Sequence, residues 1–183
     1  DLVVTDFYQA MILDGRGYQV RAGTITTPLT GDIEITDAAA EMCADAASGT
    51  TIIPVYVSVD IEALGGTLPT AACKSVATVS SAGTAFVPLP LKSDGSASVS
   101  TARVQAAGAV TVTAELATTT LRHVSKTVAT AALEPLLNHQ FRPAPVLVGP
   151  RCFYLQVAAV TTGPTYFAHF DYIEGPTLLF VPS

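Results

Sequence analysis

The chain has 183 residues, only 13% of them charged, with 15 acidic against nine basic side chains and a net charge of −6. Phosphate binding needs clustered lysine and arginine, and the basic residues here are dispersed, so a nucleic-acid surface is excluded. No apolar run reaches the roughly 20 residues of a membrane helix, so no membrane partner is expected.

At this length the chain is expected to form one domain over residues 18–183, preceded by an arm or short helix over residues 1–17. So few charges leave much of the exterior poorly solvated, and part of it is expected to be covered by another subunit. Cys43, Cys73 and Cys152 are odd in number and far apart. They offer neither a disulfide framework nor a CxxC knuckle, and are expected to be buried thiols in a chain assembled in a reducing cytoplasm.

In chain order, Thr5 and Asp6 precede Phe7, Met11 and Ile12 at helical spacing, and residues 14–17 end that pattern. This predicts a short helix or a docking arm. From Tyr18 to Thr27 the pattern is that of a strand, stopped by Pro28 and Gly31; Ile33 and Ile35 then alternate with Asp32 and Glu34. Residues 38–47 are alanine-rich and predict one or two helical turns in a long connection.

The clearest strand is 53–62, where Ile53, Val55, Val57, Val59 and Ile61 alternate with Pro54, Tyr56, Ser58, Asp60 and Glu62. A one-residue slip would expose every apolar side chain of that set, which pins the register. Gly65 and Gly66 end it. Residues 73–79 and 84–91 continue as strands, the second an edge strand or extended rim because Pro88 and Pro90 remove ladder donors. A turn at 92–96 precedes strands at 98–105, 109–116 and 118–128, and residues 133–138 predict a helical turn.

Pro143, Pro145 and Pro150 force an extended passage into two aromatic, β-branched runs, 151–160 and 165–174, which read as a closing antiparallel hairpin around Gly163 and Pro164. In the second run Tyr166, Ala168, Phe170 and Tyr172 share an apolar face, while Phe167, His169, Asp171 and Ile173 share a mixed one. The strand at 53–62 is expected as sheet-mate or opposing strand. Leu178 to Val181 form an apolar tail. Eight to ten strands, with long excursions near 38–47 and 129–145, predict an all-β sandwich of jelly-roll type.

Chemistry is sparsely marked. His169 and Asp171 lie at i, i+2 on one strand face and could supply the His–carboxylate half of a site, but no motif marks a nucleophile or third ligand, so they read as an interface pair. His123 and His139 are isolated, and a metal site would require convergence from distant strands; neither metal nor cofactor is predicted. Asp32 with Glu34 and Asp60 with Glu62 have strand spacing, but the chain has no Trp to serve as a sugar platform. They read as solvated charges rather than a glycosidase pair. Asp94–Gly95 is a turn, Gly15-Arg16-Gly17 a loop, and Asn138 starts no glycosylation sequon. No catalytic residue is predicted.

Val20 to Pro28, Gly49 to Pro54, and Pro145 to Pro150 with the following Phe153 to Glu174 segment resemble virion structural proteins of tailed bacteriophages. That resemblance implies a non-enzymatic jelly-roll subunit, a capsid decoration or minor capsid protein, that forms a homotrimer on a virion and binds other shell proteins. The expected subunit interface comprises Tyr154, Gln156, Phe167, His169 and Asp171. The alternative is a lectin-like, carbohydrate-binding sandwich using Tyr56, Tyr166 and Tyr172.

Overall fold

A computed structural model describes residues 6–24, 26–35, 38–105, 109–113, 118–125 and 135–180. Helix α1 (Phe7–Leu13) is capped by Asp6, whose carboxylate accepts the Tyr8 N–H at 3.1 Å; of the two forms expected there, short helix or docking arm, the described residues take the helix. The chain then runs through β1 (Gly17–Ala22), β2 (Leu29–Thr30), β3 (Ala39–Ala40), β4 (Met42–Ala46), β5 (Thr50–Ala63) and β6 (Thr67–Val76). Four short strands follow, β7 (Thr84–Phe86), β8 (Leu89–Pro90), β9 (Thr101–Val104) and β10 (Val110–Thr111). The last part comprises β11 (Thr118–Ser125), β12 (Leu137–Gln140), β13 (Leu147–Val148), β14 (Arg151–Val160), β15 (Thr165–Pro176) and α2 (Thr177–Phe180).

Two antiparallel sheets carry the fold, one ordered β12-β5-β15-β1-β8 and the other β11-β6-β14-β4-β9-β7. Eight strands set the topology: β1 pairs with β15, β4 with β14, β5 with β12, and β6 with β11. The first therefore pairs with the last and each inner pair nests within the one outside it, as in a long hairpin rolled up on itself. That is a jelly roll.

The core lies between the sheets. Val20, Val57, Val59, Phe170 and Tyr172 of one sheet pack against Met42, Ala44, Ala71, Phe153 and Leu155 of the other. Within it Phe141, Phe153, Phe170, Tyr172 and Tyr18 form an aromatic chain with successive ring separations of 6.0, 4.9, 6.3 and 5.8 Å. The apolar face read for Tyr166, Ala168, Phe170 and Tyr172 is buried throughout. Of the two placements expected for the strand at 53–62, sheet-mate or opposing strand, β5 takes the first and pairs with β15.

Several local expectations are corrected. The runs 151–160 and 165–174 are not a hairpin ladder, because β14 and β15 lie in opposite sheets. Each carries a large apolar face, and stacking those faces removes more apolar surface from water than pairing the strands side by side. Residues 38–47 form β3 and β4 instead of helical turns. All five residues of β4 are buried, and small side chains suit a strand covered on both faces, which overrides alanine's helical preference. The helical turn read at 133–138 gives way to β12, with 133–134 outside the described residues.

The alternation read along 53–62 breaks at Val55. Asp171 pairs with Tyr56 but Tyr172 with Pro54, so Val55 is the extra residue of a β-bulge. Ile52 therefore joins the main core, while Ile53 sits opposite Ile173 on the other face of the sheet. The strand read at 73–79 runs instead from Thr67 to Val76, and that at 98–105 narrows to β9; 114–116 and 126–128 fall outside the described residues. The edge position of the proline segment is borne out: β7 pairs with β9 in one sheet and β8 with β1 in the other. Between them Pro88 is buried, so this strap closes one side of the sandwich.

Candidate functional site

The outer face of the β12-β5-β15-β1 sheet gathers the polar residues of four strands. Its registers place Arg21 beside His169 and Gln19 beside Asp171 on one flank of β15. On the other flank Ser58 faces His169, Tyr56 faces Asp171, and Asp60 faces Phe167. These neighbours are 107 to 152 positions apart in sequence, and only the sheet assembles them. At one end of β1 and β15, α1 packs on the sheet, which leaves the stretch from Asp171 to Phe167 as the accessible part.

The hydrogen bonds on this face are lateral. Gln19 Nε2 donates to Asp171 Oδ1 at 2.8 Å, and the Arg21 Nε–H donates to Gln19 Oε1. Ser58 Oγ donates to Asp60 Oδ2 at 3.1 Å, and the Tyr56 ring lies 5.5 Å from that of His169. Burial holds the Asp171 carboxyl above the usual carboxylate range, opposed by the Gln19 hydrogen bond and the nearby His169 and Arg21. Among the described residues no hydrogen bond joins His169 to Asp171, and the Ser58 hydroxyl points its proton at Asp60. Among the described residues of this face no nucleophile–imidazole–carboxylate relay is laid out. A hollow of about 430 Å³ lined by Gln19, Arg21, Thr24, Thr26, Phe167 and His169 opens beside it.

Of the five residues expected at a subunit interface, Phe167, His169 and Asp171 occupy this half-buried face. Tyr154 and Gln156 do not. They sit on the outer face of the second sheet, beneath the β3–β10 ladder, where Tyr154 packs with Cys43, Val76, Val110, Val112 and Cys152. Gln156 Nε2 donates to the Ala39 carbonyl at 2.6 Å. Both side chains are covered by the chain itself, so neither is available to another subunit. The long connection supplied that cover, and its strand character was hidden by its alanines.

The saccharide trio is likewise dispersed: Tyr166 and Tyr172 are buried, and Tyr56 alone stands on the open face. Asp32 is half-buried beside Glu41, which is buried and whose Oε2 accepts the Val157 N–H at 2.8 Å. Burial pushes Glu41 up to about 8, with the Asp32 charge adding to the effect and the Val157 bond opposing it. Glu62, by contrast, is exposed and accepts from Thr165. His139 lies edge-to-face on Phe141 at 4.8 Å, its pKa lowered by burial and Arg122.

Exposed apolar side chains border the strap. Gly17 is where α1 meets the residue after β8: the Ile12 and Leu91 side chains fill the space a Cβ on Gly17 would take, and the Leu91 N–H donates to the Gly17 carbonyl at 2.9 Å. Phe7 and Leu13 on α1, and Val87, Leu89 and Leu91 on or beside β8, are exposed. Alternation turns Pro88 and Pro90 inward and these three outward.

All three cysteines are buried free thiols, as read from the sequence. Two of them converge with a carboxylate: Cys43 and Asp45 on one face of β4, and Cys152 on β14 opposite Asp45. Their ligand atoms lie within 4.8 Å of one another. No spacing in the sequence marks this group, because its members come from strands more than a hundred residues apart.

Fold and surface together define the class: an all-β jelly-roll sandwich with one accessible polar sheet face and an apolar rim. Comparison with protein-family models, with curated proteins and with solved structures gave no match to this chain.

Proposed function

We propose that the chain is a non-enzymatic virion subunit, a capsid decoration or minor capsid protein of a tailed bacteriophage. It works by associating with itself as a trimer and with other shell proteins. The observation that carries this reading is the apolar rim of α1 and β8. Five large hydrophobic side chains are exposed there on a chain with only 13% charged residues, and such rims are typically removed from water by a neighbour. The half-buried row Phe167, His169 and Asp171 offers a second, polar contact of the kind that sets register between subunits.

Sedimentation of the purified chain at micromolar concentration tests the reading, together with co-sedimentation on phage particles lacking surface subunits. A trimer that Leu89→Asp and Phe7→Asp convert to monomer is the expected result. A monomeric wild-type chain that leaves particles bare would sink the proposal.

The hollow beside Arg21 and Phe167 favours a second reading, a lectin-like site. An aromatic ring and several hydrogen-bonding side chains around about 430 Å³ suit one or two sugar rings. A glycan array that gives binding lost in Phe167→Ala would favour it over the assembly role; an array without hits would remove it.

A further inference from the structure

Beneath the β3–β10 ladder the polar groups of the second sheet close into a ring. Ser80 Oγ lies 3.0 Å from Cys43 Sγ and 2.6 Å from Asp45 Oδ2. Cys152 contacts Cys43 and Asp45 on the other side. Two thiols, one carboxylate and one hydroxyl thus surround a single point, in a place sealed from above by Val110 and Val112.

We propose that Cys43, Cys152 and Asp45 bind a thiophilic divalent cation of the zinc class. Zinc with thiolate and carboxylate ligands is tetrahedral, with Zn–S near 2.3 Å and Zn–O near 2.0–2.2 Å, so its ligand atoms stand about 3.5–3.8 Å apart. The three ligand atoms already lie within 4.8 Å of one another, and an adjustment of about 1 Å or less closes the site. Ser80 Oγ, only 2.6 Å from Asp45 Oδ2, stands too close to that oxygen to be a fourth ligand and serves to orient it.

The surrounding groups fit a loaded site. The Ser80 N–H donates to Asp45 Oδ1 at 2.8 Å and the Ser80 hydroxyl to Oδ2 at 2.6 Å, which orients the carboxylate and leaves a second lone pair of Oδ2 for the metal. Binding requires both thiols to give up their protons to solvent, so two protons leave for each cation bound and no electron is transferred. Two thiolates, one carboxylate and a dication leave one negative charge, and Arg103 answers it: its Nε is 3.8 Å from Asp45 Oδ2. That Nε is buried and makes no hydrogen bond among the described residues. A hollow of about 170 Å³ lined by Asp45, Val79, Ser80, Thr101 and Arg103 opens on the carboxylate side and gives a path for entry.

The role would be structural: the cation ties β4 and β14 to the segment at Ser80, which carries the chain towards the strap. Metal titration separates this site from a closed hydrogen-bond network with no affinity for metal. The full-length chain, purified under reducing conditions and stripped with chelator, is titrated with Co(II). Expected are saturation at one Co(II) per chain, a thiolate-to-cobalt charge-transfer band in the near ultraviolet with tetrahedral visible bands, and release of two protons. Zn(II) should displace the cobalt and raise the melting temperature. Cys43→Ser or Cys152→Ser should abolish the charge-transfer band, whereas Ser80→Ala should weaken binding by about 10–100-fold, as loss of an orienting group does.

Should the cysteine variants not fold, the wild-type spectrum and proton count decide alone. Absence of the charge-transfer band at saturating Co(II), a band that survives both cysteine changes, or a Cys43–Cys152 disulfide in the freshly purified protein would each overturn the proposal.

Discussion

The rings of Phe153 and Phe170 meet edge to face at 4.9 Å across the sandwich, one from each sheet. Both are fully buried, and this contact joins β14 to β15 face to face rather than edge to edge. Phe170→Ala is expected to cost about 3–5 kcal/mol, the transfer of a large aromatic plus the cavity left behind. Phe167→Ala, three residues earlier on the open face, should cost less than about 1 kcal/mol. Urea unfolding measures both, and equal losses would mean that the register of β15 is wrong.

Glu174 anchors the insert that follows the strap. Its carboxylate accepts the Ser98 hydroxyl at 2.8 Å and the Val99 and Ser100 N–H groups at 2.9 Å each. The Ser98 hydroxyl also meets Tyr172 Oη at 3.0 Å. Glu174→Ala strands those donors in a buried place and should cost roughly 2–4 kcal/mol. Limited proteolysis should then cut near 96–100 sooner than in the wild type; unchanged stability and cleavage would show that the insert is held elsewhere.

Glu41 gives the fold a pH dependence of definite sign. In the unfolded chain a glutamate loses its proton near 4.5, whereas folded Glu41 keeps it to about 8. Between those values the folded state binds more protons, so this group's contribution to stability is present at low pH and is lost as pH rises towards 8. The slope is at most about 1.4 kcal/mol per pH unit for one proton. Glu41→Gln should flatten the decline between pH 5.5 and 8, read from melting temperatures across that range. A wild-type curve rising over that interval would contradict the assignment.

Tyr154 and His169 separate folding from the proposed self-association. Tyr154 is fully buried under the β3–β10 ladder, and Tyr154→Ala should cost about 3–5 kcal/mol without altering contacts between subunits that still fold. His169→Ala, on the half-buried open face, should leave the melting temperature of the subunit within a degree or two while weakening self-association about tenfold or more. Analytical ultracentrifugation of both variants at matched concentration reads the difference; assembly unaffected by His169→Ala would move the interface off this face.

The sequence by itself determined the fold class and one side of the core. Period-two alternation is written in local order, so Tyr166, Ala168, Phe170 and Tyr172 could be placed inside without knowing what they meet. The short helix after Asp6 and the edge position of Pro88 and Pro90 were legible for the same reason, because capping and missing ladder donors are local chemistry. The tertiary structure alone decided what lies opposite. Whether 151–160 pairs with or stacks on 165–174 depends on total buried area, which no local pattern records. Val55 shifts the register of β5 only because its partner strand skips it. Alanines in 38–47 favour a helix until a sheet on each side offers more burial, and that same burial hides Tyr154 and Gln156. Cys43, Asp45, Ser80 and Cys152 meet through strand order, so their convergence exists only in the folded chain.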